Sequence, residues 1–230
     1  LFELKPIQQG STIKFLKMKN LPILLLFLFS AQAAFTQTRL YENPDFDRIA
    51  LRHKVIAVVP FEATVELRPK QMEQVSPEQL EEMELEEGKD LQAAMFSWFL
   101  KRKERGKLTV DVQSTAITNA KLKQEGISVD NYEDYTPDQI AKILEVDAVI
   151  MGTFETNKPM SEGAAVAVGA LLGFWGSTNK AVVNLFIYNA KDSEVLVNYH
   201  KAVQGSVGST AEQLINVLMR KASRRIAYTK

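Results

Sequence analysis

The sequence predicts one α/β domain: a three-layer-like, mixed β-sheet with flanking helices, ordered βαβαβ and followed by a β-hairpin and a C-terminal helix. Three observations predict it. Short uncharged runs rich in Val, Ile and Ala, "VIAVV" at 55–59 and "AVIMG" at 148–152, read as strands buried on both faces. Between them lie longer stretches with apolar residues at helical spacing, each opened by Ser-Pro or Thr-Pro. After them, two alternating segments flank the polar turn "NAKDSE" at 189–194, which is the pattern of a hairpin. A composition of 46% hydrophobic and 24% charged residues is that of a globular chain. A formal net charge of zero provides no basic field, so nucleic acid is not an expected partner.

Residues 1–37 stand apart from the fold. Lys14, Lys17 and Lys19 precede the apolar run "LPILLLFLFS", and small residues follow, with an A-x-A site at Ala31 and Ala33. That is a secretory signal peptide, because a membrane-spanning helix needs about 20 apolar residues and this run has roughly half as many. Met18 sits where such a leader begins, so 1–17 are expected to be an upstream extension. These 37 residues hold four of the 28 Lys and Arg and one of the 28 Asp and Glu, which leaves the exported chain at about −3. There is no Cys, which removes disulfides, thiol chemistry, Cys-based metal sites and the acyl anchor of a lipoprotein. The chain is expected to be exported, periplasmic or outer-membrane-associated, without a lipid anchor.

Residues 38–53 read as a polar lead-in, and 54–230 as the domain. "HKVIAVVPFEA" is the first strand, ended by Pro60, which cannot donate to a ladder. Residues 62–76 read as a polar loop. Ser76-Pro77 opens a helix with Ser at the N-cap, Pro at N1 and Gln79 at N3. Its acidic start and basic end (Lys101, Arg102, Lys103, Arg105) suit the helix dipole, and Leu91, Met95, Trp98 and Phe99 form its apolar stripe. Gly88 either continues this helix or divides it in two. "KLTVDVQ" is a second strand. Residues 114–135 read as loop with a short helix. Thr136-Pro137-Asp138 starts another helix, and "DAVIMGTFET" is the third strand. In the hairpin, Val183, Leu185 and Ile187 share one face, as do Val195, Val197, Tyr199 and Val203. The final helix, capped by Ser209 or Thr210, turns Leu214, Val217, Leu218 and Ile226 inward.

No residue pattern advertises catalysis. The two histidines, His53 and His200, are isolated, and Glu62, Glu66, Asp111 and Asp147 are scattered along the chain. No H-E-x-x-H, G-x-S-x-G or phosphate loop occurs. "GSVGST" at 205–210 lacks the P-loop lysine and reads as a loop with an N-cap. No enzyme activity, cofactor or metal is therefore expected. The outlying feature is the apolar insertion at 157–180, above all "GAAVAVGALLGFWGSTNK" at 163–180. It either packs on its own sheet or presents Leu171, Leu172, Phe174 and Trp175 to a partner or to the membrane interface.

"IAVVPF" at 56–61, "DAVIMG" at 147–152 and "LFIYNAKDSEVL" at 185–196, in this order of elements, resemble a group of envelope domains. These are the TolB N-terminal domain, the curli-secretion (CsgG-like) lipoproteins and the penicillin-binding-protein activator lipoproteins. The resemblance implies a cell-envelope protein that works by contact, through another envelope protein or its own copies. In curli-type proteins the insertion at this position becomes a membrane-spanning hairpin of a pore. The present segment lacks the polar alternation of a pore wall, and the link 201–214 leaves no room for a second spanning hairpin. The expected function is a non-enzymatic interaction or assembly module. The alternatives are a curli-like secretion component and a small-ligand binder or enzyme whose site the sequence does not display.

Overall fold

The computed structural model describes residues 38–67, 69–156, 180–204, 211–226 and 228–229, all within the compact unit Thr36–Lys230. Among them, seven strands form one mixed sheet: β1 (Thr38–Glu42), β2 (Val55–Val58), β3 (Glu62–Val65), β4 (Asp111–Val112), β5 (Ala148–Thr156), β6 (Lys180–Asn189) and β7 (Val195–Gln204). The helices are α1 (Phe46–Ala50), α2 (Pro69–Met72), α3 (Pro77–Glu104), α4 (Thr115–Gln124), α5 (Pro137–Leu144) and α6 (Ala211–Arg225), with a 3₁₀ segment at Val129–Asp134. Strand order is β1-β7-β6-β5-β2-β4, with β3 beside β5. The pairs β1–β7, β7–β6 and β6–β5 are antiparallel, whereas β2 and β3 run parallel to β5 and β4 parallel to β2. The predicted α/β fold with a mixed sheet is the observed one.

Layering follows from the residue pattern. On one face, Leu91, Met95 and Phe99 of α3 and Leu218, Met219 and Ala222 of α6 pack on Ile56, Ile150, Leu185 and Tyr199. On the other, Leu122 of α4 and Ile140, Ala141 and Leu144 of α5 cover Ala57, Val59 and Val149. Strands β2 and β5 are therefore buried from both sides, which is why their sequences are unbroken apolar runs rather than alternating ones. The hairpin strands alternate because this second layer of helices packs only as far as Met151 and Tyr188.

The structure departs from the sequence reading in four places. The lead-in 38–53 carries β1 and α1, and Phe46 and Ile49 of α1 join the core. Pro60 does not end the first strand: β2 pairs with β5 through Val58↔Ile150, and the line resumes as β3 from Glu62↔Thr153. Three residues of that line, 59–61, thus stand opposite two of β5, in the manner of a bulge. Residues 114–135, read mainly as loop, fold into α4 and the 3₁₀ segment, opened by Ser114 and Ser128 as side-chain caps. Of the two courses open at Gly88 the continuous one is observed, α3 being one 28-residue helix. In the hairpin, a register shift between Ile187 and Tyr188 takes Val195 out of the buried row formed by Val197, Tyr199 and Val203. Capping of the last helix by Ser209 or Thr210 lies outside the described residues.

Candidate functional site

The residues singled out from sequence, Leu171, Leu172, Phe174 and Trp175, lie outside the described residues. The structure does place the two points where their segment joins the fold. Strands β5 and β6 pair in unbroken register from Ala148↔Asn189 to Thr156↔Ala181. The described strands therefore end at Thr156 and begin again at Lys180, side by side at one end of the sheet. At this same end Thr156 pairs with Val65 of β3, and Lys180 pairs with Gln204 of β7. Residues 157–179 and 205–210 are thus both attached here. The described rim is small and polar: Glu66, Glu155, Thr156, Lys180 and Val182, with the Glu66 N–H donating to the Thr156 carbonyl at 2.7 Å.

The opposite end of the sheet holds a cleft of about 410 Å³ between the start of β2, the start of β5 and the β6–β7 turn. Arg48, Arg52, His53, Asp147, Lys191 and Glu194 line it. Asp147 Oδ2 accepts from the backbone N–H groups of Lys54 (2.6 Å) and Val55 (2.9 Å), and its carbonyl accepts from Ala190. It is therefore a strand tie rather than a free carboxylate. His53 Nδ1 lies 2.6 Å from the hydroxyl of Tyr228, a fully buried residue whose ring meets Phe46 edge-on at 5.0 Å. Burial lowers the His53 pKa against the opposing pull of Asp147. Burial likewise raises the Tyr228 pKa. Sequence reading treats His53 and Asp147 as unrelated; the sheet brings both to this cleft, because each lies within two residues of the start of a parallel strand.

A third surface involves the region that sequence reading left weakest. Glu62, Glu81, Glu84, Asp130 and Glu133 surround a depression of about 340 Å³ between β3, α3 and the 3₁₀ segment. A more apolar one of about 500 Å³ adjoins it, with Pro60, Leu85, Leu122, Ile127 and Tyr132 in its walls. Glu84 is already engaged, accepting from the Val65 N–H at 2.9 Å, and the Tyr132 hydroxyl donates to the Pro60 carbonyl at 3.3 Å. No sequence signal foretells this gathering of carboxylates, since it needs the strand break at Pro60 to meet a segment about 70 residues later.

The contacts described at these surfaces brace the fold: Asp147 ties two strands, Glu84 holds β3, and Tyr132 holds the strand break at Pro60. His200 stands in β7 opposite Asn184 and Arg39, with no carboxylate among its sheet partners. Among the described residues, no three His, Asp or Glu side chains gather as a metal site, and no helix is long and apolar enough to cross a membrane.

No protein-family model matches the chain, and no curated protein does. Solved structures with a similar course include the PelC dodecamer from Paraburkholderia phytofirmans, at 10% identity over 82% of this chain and 97% of that one, TM-score 0.43. Lipoprotein GNA1162 from Neisseria meningitidis is 16% identical over 75% of this chain and 96% of that one, TM-score 0.40. The LpoB C-terminal domain from Salmonella enterica is 13% identical over 70% of this chain and 94% of that one, TM-score 0.32.

Proposed function

We propose that this chain is an exported cell-envelope protein that works by contact, as a non-enzymatic interaction or assembly module, with the apolar segment 163–180 as its contact element. The observation that carries the reading is the attachment of that segment between two paired positions, Thr156 and Lys180–Ala181. Antiparallel neighbours in register need a connection of only about two to five residues. Topology therefore does not require residues 157–179, and they are apolar and aromatic where a surface loop is ordinarily polar. The leader-like residues 14–33 support export, and the sequence likeness to TolB N-terminal and curli-secretion domains supports an envelope role.

The test replaces Phe174 and Trp175 together by Ser. Light scattering of the exported protein reports assembly beyond a dimer, cross-linking in the envelope reports protein capture, and flotation with phospholipid vesicles reports membrane contact. The expected result is an unchanged circular dichroism spectrum and melting temperature with loss of assembly or capture. Unchanged assembly, capture and flotation would overturn the reading, as would collapse of the fold, which would make the segment part of the core.

A further inference from the structure

Strand β1 closes one side of the sheet and is exposed at all five of its residues, with Leu40 at 41% and Tyr41 at 48%. Its inner edge is committed to β7, from Thr38↔Lys201 to Glu42↔Val197. The direction of its outer hydrogen-bonding groups follows from the next residue. The Asn43 N–H donates to the Leu196 carbonyl at 2.8 Å, so Asn43 faces β7. Antiparallel ladders alternate, which turns Tyr41 and Arg39 toward β7 and turns the N–H and C=O groups of Thr38, Leu40 and Glu42 outward. An exposed edge of this kind pairs with another strand unless something blunts it. β1 has no proline and carries one charge of each sign, Arg39 and Glu42.

We propose that β1 is a self-association edge, on which a second copy of this chain adds its own β1 antiparallel about a two-fold axis at Leu40, joining two sheets into one. In that register Leu40 faces the second copy's Leu40, Thr38 faces its Glu42, and Arg39 faces its Tyr41. The three outward-facing residues then exchange about six backbone hydrogen bonds. The pattern T-R-L-Y-E is complementary to its own reverse: the one cation meets an aromatic ring, the one carboxylate meets a hydroxyl, and the central leucine meets itself.

Charge in the surrounding structure favours the same occupant. Lys201 is buried behind Thr38 and donates to its Oγ1 at 2.5 Å. Lys221 and Arg225 of α6 add their positive charge to that corner, and together with burial they lower the Lys201 pKa. The second copy's Glu42, opposite Thr38, brings a carboxylate to this cationic corner, and the two-fold axis repeats the contact. The segment 163–180 joins β5 to β6 and not to β1, so substitutions in the two elements test the two surfaces separately.

The experiment is sedimentation of the exported protein over about a hundredfold range of concentration, because a reversible dimer dissociates on dilution. The unsubstituted chain is expected to be in concentration-dependent monomer–dimer exchange. Leu40→Pro removes an outward N–H at an edge position that tolerates proline, and it should weaken the dimer roughly tenfold or more with the melting temperature little changed. The chain has no cysteine, so Leu40→Cys reports directly: hydrogen-bonded antiparallel partners stand about 5.5 Å apart at Cα, within disulfide reach. Leu40→Cys should oxidise to a covalent dimer faster than the control Leu51→Cys, whose side chain is 87% exposed but lies outside β1. A monomer at all concentrations, or equal oxidation of the two cysteine variants, overturns the proposal. So does a dimer that survives Leu40→Pro but is lost in the Phe174/Trp175 double variant. If Leu40→Pro unfolds the chain, the cysteine pair alone decides.

Discussion

Phe61 donates its backbone N–H to the carbonyl of Gly88, 3.1 Å away in the middle of α3, at the point where the β2–β3 line is interrupted. The contact is so close that a Cβ on Gly88 would lie 2.0 Å from the Phe61 carbonyl oxygen. The Phe61 ring, fully buried, reaches Gly152 of β5, where a Cβ would lie 2.7 Å from the ring and 2.5 Å from the Asn184 carbonyl. Two glycines thus leave the room in which one aromatic residue bridges helix and sheet. A bulge next to Pro60 loses ladder partners, and α3 supplies the replacement.

Gly88→Ala is expected to destabilise the protein by about 2–3 kcal/mol, since the obstacle is backbone and cannot rotate away. Propensity alone points the other way, with Ala favoured over Gly by about 1 kcal/mol inside a helix. Urea unfolding midpoints of the two proteins decide it. A variant as stable as the parent would mean that α3 does not cross the strand break this closely.

Gln92 is buried next to the same break, and its amide Nε2 donates to the Val58 carbonyl at 2.7 Å and to Asn119 Oδ1 at 2.8 Å. Gln92→Leu keeps the volume but orphans both acceptors, at an expected cost of about 1–3 kcal/mol. In a double-mutant cycle with Asn119→Ala the two effects should fall well short of adding, because both report on one hydrogen-bonded group. Strict additivity would show that the two amides act separately.

His53 makes stability depend on mild acid. Burial holds its pKa below the ordinary 6.5, so across the interval between the two values the unfolded chain binds the extra proton and the folded chain does not. The contribution is fully present above pH 6.5, falls as pH drops from there through the lowered folded value, and then levels off. Unfolding midpoints measured between pH 8 and 5 should therefore fall less steeply in His53→Gln than in the parent. Parallel curves would mean that burial does not shift the imidazole.

How much of this was legible in advance depended on the range of the interaction. The stripe of Leu91, Met95 and Phe99, the alternation of Val183, Leu185 and Ile187, and the Ser76–Gln79 capping box are local periodicities, and each lies in the structure where it was expected. β1 and β3 were missed. The Thr38–Glu42 segment is polar and wholly exposed, so no burial pattern marks it; it is a strand because β7 offers it an edge. Glu62–Val65 follows a proline and alternates over four residues only, too short a stretch to stand out from a loop. The cleft at His53 and the acidic depression at Glu84 were invisible for a related reason, since each joins residues far apart in the chain.

By itself the sequence determined the leader-like start, the α/β order, the inward-facing rows and the position of an apolar insertion ahead of the hairpin. Those properties rest on hydrophobic periodicity and capping, which act within a few residues. The tertiary structure alone decided that Pro60 interrupts a strand without ending it, that α3 passes unbroken through Gly88, and that β1 stands outermost among the described strands. These outcomes depend on hydrogen bonds and close packing between distant segments, Phe61 with Gly88 and Asn43 with Leu196, which exist only once the sheet has assembled.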